Sequence, residues 1–212
     1  MRKSYIVTAV FVFSLVLNLN FSFPAQAVNL LNNPGFEDIE DDNPLHWDFA
    51  GMSMYSDGCS STDAHWGERS VSTYIYGSGY LGASWLQVIN DVSPDDLIEV
   101  SCWAKLAPMC YGEAGARMFV DFLGENEQFI GYMTTNEIST QSGDCWSWTN
   151  LTTVGVVPQG TETIRVGLST YAVYQGKAYF DDAHVSVVPE PGTLLLLSGG
   201  LISLLACSRR KK

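Results

Sequence analysis

Positive charge is scarce in this chain, and much of it sits at the ends. Only 11 of the 212 residues are Lys or Arg, against 23 Asp or Glu. Arg2, Lys3, Arg209, Arg210, Lys211 and Lys212 are terminal, which leaves Arg69, Lys105, Arg117, Arg165 and Lys177 for the interior. Every acidic residue lies between Glu37 and Glu190, so the interior carries an excess of about 18 negative charges. Such a surface repels nucleic acid and anionic lipid and suits high solubility, cations or a neutral ligand. Other absences exclude more. His46, His65 and His184 form no metal-ligand spacing, and no G-x-S-x-G nucleophile elbow occurs. No C-x-x-C occurs, which removes support for a zinc or thioredoxin-like site. No Leu-Pro-x-Thr-Gly sortase signal is present, and the basic C-terminus argues against a lipid-anchor signal.

Both ends carry export features. Arg2 and Lys3 precede an apolar run from Tyr5 to Leu19, and Ala25-Gln26-Ala27 is an A-x-A cleavage site. Residues 1–27 therefore read as a signal peptide, helical in its apolar part, with cleavage after Ala27. At the other end Pro189-Glu190-Pro191 precedes the apolar run Thr193 to Cys207 and then four cations. Those 15 residues span roughly 22 Å as a helix, short of a bilayer core of ~30 Å. Ser198-Gly199-Gly200 weakens the helix further, and the terminal cations belong on the cytoplasmic side. Triplet, apolar run and basic end, in that order, resemble the PEP-CTERM sorting tail of exopolysaccharide-producing Gram-negative bacteria. The resemblance implies transient anchoring of residues 189–212 in the inner membrane, cutting by an exosortase near the triplet, and passage to the cell surface or extracellular matrix.

Between these segments, residues 28–188 hold Cys59, Cys102, Cys110 and Cys145. An even number in an exported chain points to two disulfides. Three pairings are possible, and Cys102–Cys110 with Cys59–Cys145 is preferred, the first closing a short connection between neighbouring strands.

Alternation dominates this region. In Leu97 to Leu106, the residues Ile98, Val100, Cys102, Ala104 and Leu106 share one face, and Glu99, Ser101, Trp103 and Lys105 the other. Met118, Val120 and Phe122 alternate with Arg117, Phe119 and Asp121, and Ile164, Val166 and Leu168 with Arg165, Gly167 and Ser169. Period-two patterning marks half-buried antiparallel strands, and Gly, Pro, Asn and Asp clusters separate them. No segment sustains a helical period. About eight or nine short strands in an all-β antiparallel sandwich, or jelly roll, are predicted.

The ordered set Asn32-Asn33-Pro34-Gly35-Phe36-Glu37, Trp47, Gly67-Glu68-Arg69-Ser70, Leu86-Gln87-Val88, Glu99 to Lys105, Trp148 and Ala178-Tyr179-Phe180-Asp181-Asp182 is similar to carbohydrate-binding modules of families 4 and 9, the galactose-binding-like jelly rolls. The resemblance implies a structural calcium between the first and last strands, with Glu37, Asp181 and Asp182 as ligands. Successive strand residues point to opposite faces, so one of the two aspartates should face the ion, with Asp182 favoured. It also implies a sugar-binding sheet, where rings stack on C–H faces and polar groups meet hydroxyls. The candidates are Trp103, Arg117, Asp121, Gln128, Tyr132, Arg165 and Tyr171. Trp103 stands out as an aromatic on the polar side of an alternating strand. A two-carboxylate glycosidase needs a deep cleft, which a bare sandwich of this size seldom supplies. The reading is therefore of an exported, non-enzymatic binding module for matrix polysaccharide. The alternative is a structural matrix or surface protein without a sugar ligand.

Overall fold

The structure is a computed structural model that describes residues 27–51, 56–108, 110–141 and 145–188. The signal segment up to residue 26 and the tail from Pro189, including Glu190 and Pro191, lie outside the described residues, as do the two expected terminal helices. Ala27 is the first residue described, and Ala25 is not among them. Among the described residues no helix is long and apolar enough to cross a membrane.

Val28–Val188 forms one compact unit. Its strands are β1 (Ile39–Glu40), β2 (Asn43–Pro44), β3 (Asp48–Gly51), β4 (Ser56–Ser61), β5 (Ser70–Tyr76), β6 (Leu81–Ile89), β7 (Leu97–Leu106), β8 (Ala114–Leu123), β9 (Phe129–Thr134), β10 (Ile138–Ser139), β11 (Thr149–Val156), β12 (Thr163–Ala172) and β13 (Gln175–Val187). Three of these have only two residues, and the ten longer ones exceed the predicted eight or nine. The surplus comes from segments such as β4, whose sequence SDGCSS has no apolar alternation and which forms by pairing with β5.

Two antiparallel sheets face each other. One runs β11-β7-β13-β5-β4; the other runs β10-β8-β12-β6-β3, with β9 also on β8. The alternation in the sequence sets which side chains lie between them. Ile98, Val100, Cys102 and Ala104 from β7 meet Met118, Val120, Ile164, Val166 and Leu168 in one core. Two polar contacts tie the interior: the Thr73 and Thr170 hydroxyls bond each other across the sheets, and Trp85 Nε1 donates to the Ser72 carbonyl.

The two ends of the Val28–Val188 unit lie side by side. Leu30 N donates to the Val185 carbonyl (2.7 Å), Ala183 N to the Pro34 carbonyl (2.9 Å), and Asn29 bridges Ala183 and Val185. The Asn33-Pro34-Gly35-Phe36 turn puts Phe36 in the left-handed region at φ 57°, which a bulky residue adopts only when its surroundings hold it there. Burial against Trp47 does so, at 5.3 Å between ring centroids.

The expected disulfides are not formed: none of Cys59, Cys102, Cys110 and Cys145 is disulfide-bonded. Topology excludes both preferred pairs. Cys59 on β4 and Cys145 beside β7 are separated by β5, β13 and β7, roughly 19 Å at ~4.8 Å per strand. Cys110 lies beside Ala107 and Lys177, five residues along from Cys102, or roughly 16 Å at ~3.3 Å per residue. Disulfides need Cα atoms within ~7 Å.

Candidate functional site

The outward face of the six-stranded sheet is built by the polar positions of its alternating strands. Cross-strand register places Asp121 opposite Tyr132 and Arg165, Gly167 opposite Phe119 and Leu86, Ser169 opposite Arg117 and Ser84, and Tyr171 opposite Gly115 and Gly82. A groove of about 280 Å³ crosses the middle, lined chiefly by Ala50, Ser84, Leu86, Phe119, Arg165 and Ser169. Gly167 leaves room for its floor. The far end of the Phe119 ring lies over that position, so a Cβ there would have to displace the ring.

Polar groups flank the ring. Arg165 donates to Asp121 Oδ2 from Nη2 (2.6 Å) and Nε (3.2 Å), which fixes the guanidinium beside the groove. Beyond it Tyr132 stands 67 % exposed, near Phe129. At the other end of the sheet Tyr171 donates its hydroxyl to Glu137 (3.1 Å) and stacks under the exposed Tyr80, with centroids 5.3 Å apart. Burial, followed by the Glu137 charge, pushes the Tyr171 phenol up to about 12. Arg117 faces Glu137 at 3.9 Å.

The structure thus brings Arg117, Asp121, Tyr132, Arg165 and Tyr171 onto one face. Gln128 lies just before β9, at a turn where its N–H donates to the Glu125 carbonyl. Trp103 belongs to the opposite sheet. It pairs with Asn150 and Asp181 on the outward side of the five-stranded sheet, where the 62–69 loop covers it. His65 stacks on Trp103 at 3.9 Å with 13° between planes, and meets Trp148 edge-on at 5.8 Å. Phe119 was the residue that sequence reasoning passed over. Its signal was the one used for Trp103, an aromatic at a polar position of an alternating strand, here between Arg117 and Asp121.

The three expected metal ligands gather around the same covering loop. The Asp181 carboxylate accepts from the backbone N–H of His65 (2.8 Å), Trp66 (3.1 Å) and Asp182 (2.8 Å). Asp182 sits in the bulge of β13 at φ 46° and its Oδ2 lies 2.7 Å from His65 Nδ1. Glu37 Oε1 accepts from the N–H groups of Glu68 and Arg69, pressed against Gly67. Burial pushes the Asp181 carboxyl up to about 6, and its three N–H bonds oppose that shift. Among the described residues no three His, Cys, Asp or Glu side chains converge as a metal cage. As arranged, these oxygens serve as hydrogen-bond acceptors that button the loop down.

Residues 187–211 match the PEP-CTERM protein-sorting motif. No curated protein matches the chain. Among solved structures, the CBM22-1 xylan-binding domain from Paenibacillus barcinonensis Xyn10C superposes with a TM-score of 0.57 at 17 % identity, over 78 % of this chain and 97 % of that one. TmCBM61, solved in complex with beta-1,4-galactotriose, gives 0.53 at 18 % identity, over 76 % of this chain and 99 % of that one. The enzymatically active domain of Bacteriophage CBA120 tailspike protein 4 gives 0.57 at 15 % identity, and this chain spans about a fifth (22 %) of it. At these identities the likeness is one of fold. The chain is a jelly-roll domain with the fold of the carbohydrate-binding modules, joined to a C-terminal PEP-CTERM sorting motif that marks it for export.

Proposed function

We propose that this protein is a non-catalytic glycan-binding module, exported and released to the cell surface or matrix by an exosortase that removes its C-terminal tail. The observation that carries the reading is the groove over Phe119 and Gly167. It is an open, ring-floored surface with a fixed guanidinium and two serine hydroxyls beside it. A pyranose stacks its C–H face on such a ring and directs its hydroxyls to Arg165, Ser84 and Ser169. The ligand class is a neutral polysaccharide, because the acidic excess of the domain repels polyanions. Two carboxylates of this face are engaged, Asp121 by Arg165 and Glu137 by Tyr171 and Arg117. That favours binding over hydrolysis. The neighbours whose titles name xylan or a galactotriose support the class of ligand.

The matrix polysaccharide of the producing cell is the natural candidate, since the tail travels with exopolysaccharide systems. The transient inner-membrane stage belongs to the tail alone. The mature protein is tested on a glycan array that includes the producer's own exopolysaccharide. Selective, salt-insensitive binding to neutral glycans is expected. Binding to none of them would leave the structural-protein reading in its place. Calcium at Glu37, Asp181 and Asp182 is a separate proposal that rests on the sequence resemblance, and an ion there has to displace N–H donors already in position. A melting temperature that falls in EDTA and returns with calcium supports the ion; an unchanged one removes it.

A further inference from the structure

A second cavity adjoins the groove over Phe119. It measures about 340 Å³ and is lined chiefly by Asn90, Asn126, Glu127, Glu162, Thr163 and Arg165. Arg165 lines both cavities and stands between them. Strand parity puts the two on one face. Ser169, Gly167, Arg165 and Thr163 are alternate residues of β12, and Ser84, Leu86 and Val88 of β6 lie opposite the first three. From Ser169 to Thr163 the pair covers roughly 20 Å of the strand at ~3.3 Å per residue.

Backbone contacts hold the walls of the second cavity. Glu162 N donates to the Leu123 carbonyl and Gly124 N to the Gln128 carbonyl, both at 2.8 Å. A Cβ on Gly124 would meet the Gly160 carbonyl at 2.9 Å, so the β8–β9 turn rests directly against the turn that leads into β12. The polar side chains of the wall are uncommitted. Among the described residues Asn90, Glu127 and Glu162 make no side-chain hydrogen bond or ion pair. Asp121, beside the first cavity, is by contrast taken up by Arg165.

On the glycan-binding reading above, we infer that the site takes an internal run of several linked sugars, with one ring over Phe119 and a later one in the cavity beyond Arg165. The Glu127 and Glu162 carboxylates only accept hydrogen bonds. The second cavity therefore takes a unit rich in free hydroxyls and turns away one that carries a carboxylate. Contacts made there add to those over Phe119 without a second loss of translational freedom. Affinity accordingly rises with chain length until both cavities are filled.

The test is calorimetric titration of the mature protein with size-graded fragments, disaccharide to hexasaccharide, of xylan, a beta-1,4-galactan and the producer's own exopolysaccharide. A gain in affinity of about tenfold or more from the shortest to the longest fragment of a bound polysaccharide is expected. Asn90→Ala combined with Glu162→Ala should erase most of that gain and leave the short fragments bound as in the parent. Both residues are exposed, so the double variant should melt like the parent. Phe119→Ala should instead weaken short and long fragments alike. Affinity that is complete at the disaccharide, or a full length-dependent gain in the double variant, overturns the second cavity and leaves the groove standing. Failure of every fragment and of the parent polysaccharides to bind overturns the glycan reading and this inference with it.

Discussion

The two outward faces of this sandwich start from the same patterning and end differently. On the six-stranded sheet the polar positions stay open and form the groove over Phe119. On the five-stranded sheet they are roofed: the 62–69 loop folds back, stacks His65 on Trp103 and hands its backbone N–H groups to Asp181. One aromatic at a polar strand position lines an open groove, and the other becomes packing. What separates them is a set of hydrogen bonds between residues more than 100 positions apart in the chain. An exposed ring therefore has to be argued from what covers it as much as from its strand.

The largest effect should come from unfastening the covered face. Asp181→Ala leaves three partly buried N–H donors without an acceptor and should cost about 3 kcal/mol of stability in urea denaturation. Relief of a buried carboxylate offsets part of the loss. A loss under about 1 kcal/mol would mean that the loop is held by something other than these bonds.

On the open face, Arg165→Ala should change stability by less than about 1 kcal/mol, because its ion pair with Asp121 is partly exposed. Affinity for a glycan should fall about tenfold or more, a difference of about 1.4 kcal/mol, in titration calorimetry. An unaltered affinity would take the guanidinium out of the site.

The smallest effect is a titration. The folded-state phenol of Tyr171 is raised from 10.0 to about 12. A raised pKa gives stability that is full below the unfolded value and lost as pH climbs through the folded one, here between about 10 and 12. Absorbance titration at 295 nm, with Tyr171→Phe as reference, should show one late-ionising tyrosine missing from the variant.

The alternating strands were largely legible. The period-two stretch from Leu97 to Leu106 is β7 at both boundaries, and the stretches ending at Leu123 and starting at Thr163 lie in β8 and β12. The reason is that one buried face per strand imposes its period directly on the residues. The site was half legible. Arg117, Asp121 and Arg165 follow from parity alone, because polar residues at alternate positions of neighbouring strands share a face. Trp103 obeys the same parity, and its different fate was written in the Thr62 to Arg69 loop, which has no periodicity to read. The cysteine pairing failed for a related reason. Sequence proximity suggested Cys102 with Cys110, whereas antiparallel register carries the 145 region back to the end of β7.

The central claim is that ligand is held over Phe119 on the six-stranded sheet and not over Trp103. The most direct measurement is the affinity of the mature protein for its best array glycan in two variants, Phe119→Ala and Trp103→Ala, with folding checked by near-ultraviolet circular dichroism. The account predicts that Phe119→Ala weakens binding by at least about tenfold, while the folded fraction of Trp103→Ala binds like the parent. Binding that survives Phe119→Ala and disappears in folded Trp103→Ala would contradict it and move the site to the other sheet.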